Sequence, residues 1–76
     1  MKDLIEHISK SLVDNPDDVT VNEIVGDQTI VIELKVSSDD LGKVIGKKGR
    51  TAHAMRTLLA AIASKNRKRA VLEIID

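Results

Sequence analysis

The residues best suited to chemistry stand together in the middle of the chain, where two glycines three positions apart enclose two lysines. Glycine lets the backbone adopt positive φ or approach a ligand closely, so this spacing predicts a tight loop with few side chains. The backbone N–H groups of such a loop, with neighbouring lysine and arginine side chains, suit phosphate oxygens. We therefore predict an anion-binding site formed by Val44, Ile45, Gly46, Lys47, Lys48, Gly49 and Arg50.

The spacing of the glycines excludes the common nucleotide-binding motifs. A P-loop has four residues between its glycines, whereas three residues separate Gly42 from Gly46, and Lys48 stands where serine or threonine would hold magnesium. The dinucleotide-binding pattern is also absent, because no glycine lies two positions before Gly46. The loop is therefore not predicted to hydrolyse nucleotides, and a nucleic-acid backbone suits it better.

The remaining reactive side chains do not form a catalytic or metal-binding set. The chain has no cysteine, and neither His7 nor His53 has a second ligand at metal-binding spacing. The serines are explained by helix caps and helix surfaces, and no base accompanies them. Asp14, Asp17 and Asp18 lack the alternating pattern of a calcium loop and predict a solvated turn. We expect no enzyme activity and no cofactor, although His53 could approach a bound nucleic acid.

Charge is distributed unevenly along the chain. Residues 1–40 contain 3 lysines and 10 acids, a balance of −7, whereas residues 41–76 contain 9 basic residues and 2 acids, a balance of +7. Such asymmetry indicates an anionic partner for the basic half. Phe, Tyr and Trp are absent, which excludes the common stacking of bases on these three side chains. At 76 residues the chain predicts one small domain, 1–76, and the lack of cysteine and of long apolar runs favours a cytoplasmic location.

Helical periodicity predicts two amphipathic helices and a short one between them. The first covers residues 2–13, has Ser9 on its polar face, and is ended by Asn15 and Pro16. A short helix follows the capping signal at residues 37–40 and stops at the first glycine of the loop, and a long helix covers residues 50–64. The predicted buried residues are Leu4, Ile5, Ile8 and Leu12 in the first helix, Leu41, Val44 and Ile45 in the short helix, and Met55, Leu58, Leu59 and Ile62 in the long helix, with Asn66 as its terminator.

Three strands are predicted, at residues 19–25, 29–36 and 70–75. The first two are joined by a short polar connector and predict a hairpin. The apolar pattern of the first strand changes phase around Asn22 and Glu23, which indicates a bulge or an edge strand. The resulting order, α-β-β-α-α-β, predicts an α+β domain with a three-stranded sheet covered on one face by three helices.

The glycine loop and this element order resemble a KH domain of the bacterial type II, a module in which a Gly-x-x-Gly loop binds RNA. The resemblance spans nearly the whole chain, and residues 49–52 and 54–59 extend it to small single-domain members of the family. The chain departs from many KH domains at Ala52, where a larger aliphatic residue is common. The resemblance implies a groove for unpaired bases floored by Val44 and Ile45, while Ile32 and Leu34 are better explained as core.

The resemblance further implies an RNA chaperone or post-transcriptional regulator, linked in some bacteria to cell-wall growth and cell shape. It also implies self-association and pairing with a larger KH-containing partner. In the long helix, Ala54, Leu58, Ala61 and Lys65 form a stripe where a second helix could approach closely. Three alternatives remain open: a protein-interaction subunit with little RNA affinity, binding of single-stranded DNA, and a solvated or RNA-contacting role for the basic cluster of Lys65, Arg67, Lys68 and Arg69.

Overall fold

The computed structural model describes all 76 residues and has the predicted element order. Three short 3-10 turns accompany the helices and strands, at Pro16–Asp18, Ser38–Asp40 and Lys47–Gly49. Each helix and strand begins and ends within one residue of its predicted bounds. In chain order the elements are α1 (Lys2–Leu12), β1 (Thr20–Val25), β2 (Thr29–Lys35), α2 (Leu41–Ile45), α3 (Arg50–Lys65) and β3 (Arg69–Ile75).

The sheet has the strand order β1-β2-β3, with β1 antiparallel to β2 and β3 parallel to β2. Strand β1 is an edge strand, which confirms one of the two predicted alternatives. Its pairing with β2 runs without interruption from Thr20 opposite Lys35 to Val25 opposite Ile30, so the alternative of a bulge is wrong. The phase change has another cause: Ile24 lies on the open face of the sheet, and its side chain is 55% exposed.

The helices cover one face of the sheet, and the core lies between them. The apolar side chains of β2 at alternate positions face this layer, and Ile32 and Leu34 are completely buried, as predicted for core residues. Each of the three helices contributes to one cluster of buried apolar residues. Its members are Ile5, Val19, Val21, Ile30, Ile32, Leu34, Val36, Val44, Met55, Leu59 and Leu72.

Two predicted helix faces are rotated from their observed positions. In α3 the buried line is Ala52, Met55, Leu59 and Ala63, whereas Leu58 is 47% exposed. Small residues at both ends of this line let the helix lie close to the sheet. A buried face that is predicted from the largest residues alone is therefore rotated away from the observed one.

In α1 the buried residues are Ile5 and Ser9, one helical turn apart, while Leu12 is 41% exposed. Helical periodicity predicts Ser9 on the polar face and Leu12 in the core, and both predictions are wrong. The Ser9 hydroxyl has no hydrogen-bond partner in the protein, so its burial is set by its position on the contact line and not by its polarity. At the start of α1 the Lys2 N–H donates to the Glu23 carboxylate of β1 over 3.2 Å, which ties the helix to the edge strand. None of the helices has the length and apolar character that crossing a membrane requires.

Candidate nucleic-acid interface

The first glycine of the loop ends α2 in a conformation that only glycine adopts readily. Gly46 has φ 79° and ψ 171°, and its N–H donates to the Gly42 carbonyl over 2.9 Å. A Cβ atom at this position would lie 2.2 Å from the Thr51 hydroxyl oxygen and 2.8 Å from the Thr51 backbone nitrogen. Side-chain and backbone atoms of Thr51 therefore occupy the space of a Cβ, and glycine is required here.

The glycine loop (residues 46–49) continues as a single tight turn. The Gly49 N–H donates to the Gly46 carbonyl over 3.0 Å, and the Arg50 N–H donates to the Lys47 carbonyl. Lys48 and Gly49 both have left-handed φ angles, 58° and 73°. Unlike Gly46, Gly49 has open space around it, because an added Cβ would meet nothing within 4 Å. The two glycines of the motif thus differ: the first is required by both space and backbone conformation, whereas the second is only favoured by its left-handed φ.

The positive charge around the loop is not neutralised by the protein. Lys47, Lys48 and Arg50 are exposed, and none of them pairs with an acid. The loop also leads directly into the N-terminus of α3, which has no side-chain cap and no acid in its first turn. The positive end of a 16-residue helix and three free cations therefore lie together and face solvent.

Lys43, on α2, differs from these cations although it belongs to the same basic half of the sequence. Its ammonium forms ion pairs with Asp14 and, over 3.4 Å, with Asp40. The hydrogen bond to Asp14 is the main cause that raises the pKa of Lys43 above its usual range. Lys43 is therefore paired with acids of the other half of the chain, unlike Lys47, Lys48 and Arg50.

Asp40, which belongs to the predicted helix start signal, is a buried acid. Its carboxylate is 1% exposed and accepts hydrogen bonds from the backbone N–H groups of Asp14 and Asn15, over 3.2 and 3.0 Å. The Asn15 side-chain amide donates to it over 3.0 Å, and Lys43 over 3.4 Å. Burial raises the pKa of this carboxyl, but the four donors outweigh burial and hold the pKa below its usual range. The acid turn predicted to be merely solvated thus contributes Asp14 to this network.

The predicted site residues fall into two environments. Gly46, Lys47, Lys48, Gly49 and Arg50 form the exposed turn, and Ile45 beside them is 37% exposed. Val44 is completely buried in the core, so its side chain supports the loop from behind. His53 is exposed on the first turn of α3, and its ring forms no hydrogen bond within the protein.

The basic cluster of residues 65–69 lies at the opposite end of α3, about 24 Å from the loop at 1.5 Å per residue. The C-terminal turn (residues 66–68) closes the helix locally: the Lys68 N–H donates to the Ala63 carbonyl and the Arg67 N–H to the Ser64 carbonyl, both over 3.0 Å. The left-handed residue of this turn is Arg67, with φ 58°, one position after the predicted terminator Asn66. Lys68 also donates from its side chain to the Gly26 carbonyl over 3.2 Å.

An α+β layer in this element order, with a glycine turn that connects two helices, is the KH domain of type II. The comparison with protein families agrees with that class. Residues 2–74 match the family model described as the KhpA/KhpB KH domain, and the chain belongs to this family.

Similar proteins include the RNA-binding protein KhpA of Clostridium perfringens, 59% identical over 75 residues that cover 99% of this chain and 100% of the relative. The RNA-binding protein KhpA of Aquifex aeolicus is 57% identical and covers 100% of this chain and 96% of the relative. That of Borreliella burgdorferi is 53% identical over 97% of this chain and 90% of the relative. These names describe binding proteins and not enzymes, which agrees with the prediction of no catalysis. No solved structure matches the chain.

Proposed function

We propose that this protein binds short single-stranded stretches of RNA, with the glycine loop as a clamp for the phosphate backbone. The observation that carries the proposal is the group of three exposed cations, none paired with an acid, at the uncapped N-terminus of α3. Anions bind readily at such a terminus. The relatives named as RNA-binding proteins support the choice of RNA as the anion.

Each residue of the site has a separate role in this proposal. Gly46 and Gly49 allow the strand to approach the backbone of the turn, and Lys47, Lys48 and Arg50 contact phosphates. Ile45 offers an apolar contact to a base, and Val44 holds the loop in place from the core. With no aromatic residue and a footprint of about four nucleotides for a KH module, the affinity of one copy is expected to be weak.

The direct test replaces Lys47 and Lys48 with Asp while both glycines are kept. The fold should persist, because both side chains are exposed and unpaired, and RNA binding should weaken by more than about tenfold. Circular dichroism checks the fold and fluorescence anisotropy with a labelled single-stranded RNA measures the affinity. Unchanged affinity of a folded variant would refute the assignment of the loop. A single-stranded DNA of the same sequence, measured in parallel, separates RNA from DNA binding.

The wider proposal is a cytoplasmic RNA chaperone or post-transcriptional regulator that acts as a dimer or with a larger, KhpB-like KH protein, linked to cell-wall growth and cell shape. A thin domain and the exposed face of α3 support pairing: Leu58 is 47% exposed, and Ala54 and Ala61 flank it. Analytical ultracentrifugation at roughly 50 μM should detect a dimer of micromolar affinity. If only monomer is detected at that concentration, the proposed homodimer is wrong.

A second candidate function is that of a protein-interaction subunit whose own RNA affinity is negligible, and the exposed Leu58 on α3 favours it. Replacing Ala61 with Arg would block close approach of a second helix, whereas replacing Lys47 and Lys48 with Asp removes the proposed clamp. If the Ala61 variant alone abolishes association with RNA in cells, the interaction subunit is the better description. If the loop variant alone does so, the RNA clamp is.

A further inference from the structure

On its N-terminal side, the glycine loop is attached to the protein through a helix too short to hold a fixed position by itself. Helix α2 has five residues, Leu41–Ile45, and isolated helices of that length are unstable in water. Its orientation must therefore come from contacts with the rest of the fold. Val44, completely buried, provides one of these contacts near the C-terminal end of α2.

The N-terminal end of α2 has a different attachment, the carboxylate of Asp40. Asp40 lies directly before Leu41, and its side chain accepts hydrogen bonds from the chain that follows α1, 25 and 26 residues away in sequence. There α1 has ended, and the N–H groups of Asp14 and Asn15 lack helical partners. One carboxylate thus satisfies two backbone donors of the α1–β1 connection and fixes the start of α2 against it.

The chemistry of the site requires a carboxylate at this position. Four donors converge on its two oxygens: two backbone N–H groups, the Asn15 amide and the Lys43 ammonium. An asparagine has only one oxygen and would present an N–H group to donors that cannot accept from it. Lys43, itself on α2, forms an ion pair with Asp14, so the same short helix is tied to the connection twice, through Asp40 and through Lys43.

We propose that Asp40 is the positioning residue of the glycine loop: its buried carboxylate fixes α2, and through α2 the loop, against the α1–β1 connection. For RNA binding this inference rests on the proposed function of the loop. The position of α2 itself does not depend on that proposal, and hydrogen exchange measures it independently of RNA binding.

The test compares Asp40→Asn with Asp39→Asn, an adjacent variant with the same change in charge. Asp39 is exposed and its side chain forms no hydrogen bond, so Asp39→Asn controls for charge near the loop. Native-state hydrogen exchange is measured for the Gly46 N–H, at the end of α2, and for the N–H groups of β2. RNA affinity is measured by anisotropy at a temperature where circular dichroism shows each variant fully folded, with the Lys47 and Lys48 double variant alongside.

In Asp40→Asn we expect the Gly46 N–H to exchange at least about tenfold faster relative to β2, and RNA affinity of the folded protein to fall by about tenfold, a change equivalent to 1.4 kcal/mol. Asp39→Asn should change neither quantity. A purely structural role would accelerate Gly46 and β2 equally and leave the affinity of the folded state unchanged, and that result would overturn the inference.

The two proposals fail in different ways in this experiment. If the double lysine variant binds RNA like the wild type, the proposed clamp is wrong, and the ratio of Gly46 to β2 exchange alone decides whether Asp40 positions α2. If the double variant loses binding but Asp40→Asn retains both the wild-type affinity and the wild-type exchange ratio, the clamp stands and the role of Asp40 is wrong.

Discussion

The two ends of α3 are both basic and both contain a left-handed basic residue, Lys48 at one end and Arg67 at the other, each with φ 58°. At the C-terminal turn the conformation is produced locally, by two hydrogen bonds back to the last turn of the same helix. The glycine loop also has local hydrogen bonds, from the Gly49 N–H to the Gly46 carbonyl and from the Arg50 N–H to the Lys47 carbonyl. The short helix before it, however, is held from elsewhere, by the burial of Val44 in the core and by the contacts of Asp40 with the connection after α1.

The electrostatic settings of the two ends also differ. The loop lies at the positive end of the helix dipole, where its own cations are unfavourable until an anion binds, whereas the cluster at residues 65–69 lies at the negative end, where cations are stabilising. Basic side chains therefore destabilise the N-terminal end of α3 and stabilise its C-terminal end. The cations at the loop thus lack a compensating negative charge, whereas those at the other end lie beside the negative end of the helix.

Substitution of Gly46 is expected to have the largest effect. Gly46→Ala places a Cβ against the Thr51 hydroxyl and backbone at a positive φ, at a cost of about 3 kcal/mol, which is a large fraction of the stability of a small domain. Gly42→Ala is the matched control, because a Cβ there meets nothing within 4 Å and alanine favours a helix by about 0.5–1 kcal/mol. Thermal denaturation followed by circular dichroism measures both. A Gly46→Ala variant as stable as wild type would contradict the tertiary origin of the loop.

The charges at the two ends should differ in their effect on RNA binding. Replacing Lys47 and Lys48 with Gln should make the negative slope of log affinity against log salt shallower by about 1.4, the value for two phosphate contacts on a single strand. The matched pair Lys65→Gln with Arg67→Gln removes the same charge at the other end and should leave the slope almost unchanged. Equal reductions would mean that RNA follows the whole of α3, and the distinction between the ends would fail.

Part of the stability that the protein loses in acid should come from Asp40, before the loop, and not from the C-terminal end of α3. Because the pKa of Asp40 is lower in the folded protein than its ordinary value of 3.8, its contribution to stability is present above about pH 4 and is lost as the pH falls through the lowered value. Urea denaturation from pH 7 to pH 2 should show this loss in the wild type, and Asp40→Asn should flatten it. Arg67→Gln, at the other end of α3, should retain the wild-type profile.

The corresponding effect of Lys43 lies at the alkaline end. Its pKa is raised above 10.5 in the folded protein, so its contribution is present below that pH and is lost above it.

The smallest effects are expected when the two residues with left-handed φ angles are replaced by glycine. Lys48→Gly and Arg67→Gly should each stabilise the fold by about 1 kcal/mol, or roughly 4–8 °C in melting temperature, because glycine removes the Cβ repulsion at φ 58°. The two variants should separate in function: Lys48→Gly should weaken RNA binding and Arg67→Gly should not. Weaker binding by both would assign the C-terminal turn to the RNA surface.

Much of the fold could be predicted from sequence because its signals are local. Helical and alternating periodicity located all six helices and strands, and Pro16 and Gly46 marked where helices end. The face of α3 was misplaced at Leu58 because periodicity favours large residues, whereas the contact with the sheet uses Ala52 and Ala63. Ser9 was misplaced for a similar reason, since its polarity gave no sign of its burial.

The sequence by itself determined the glycine spacing, the order of the elements and the concentration of cations around residues 43–50, because residue type and spacing carry these directly. The tertiary structure alone decided which cations remain free. Lys43 is neutralised by acids from the other half of the chain, while Lys47, Lys48 and Arg50 find none. It also decided that Asp40 is buried among four donors and that Thr51 leaves no room at Gly46. Contacts of Asp40 across 25 residues depend on how the helices pack on the sheet, and local sequence patterns contain no record of that packing.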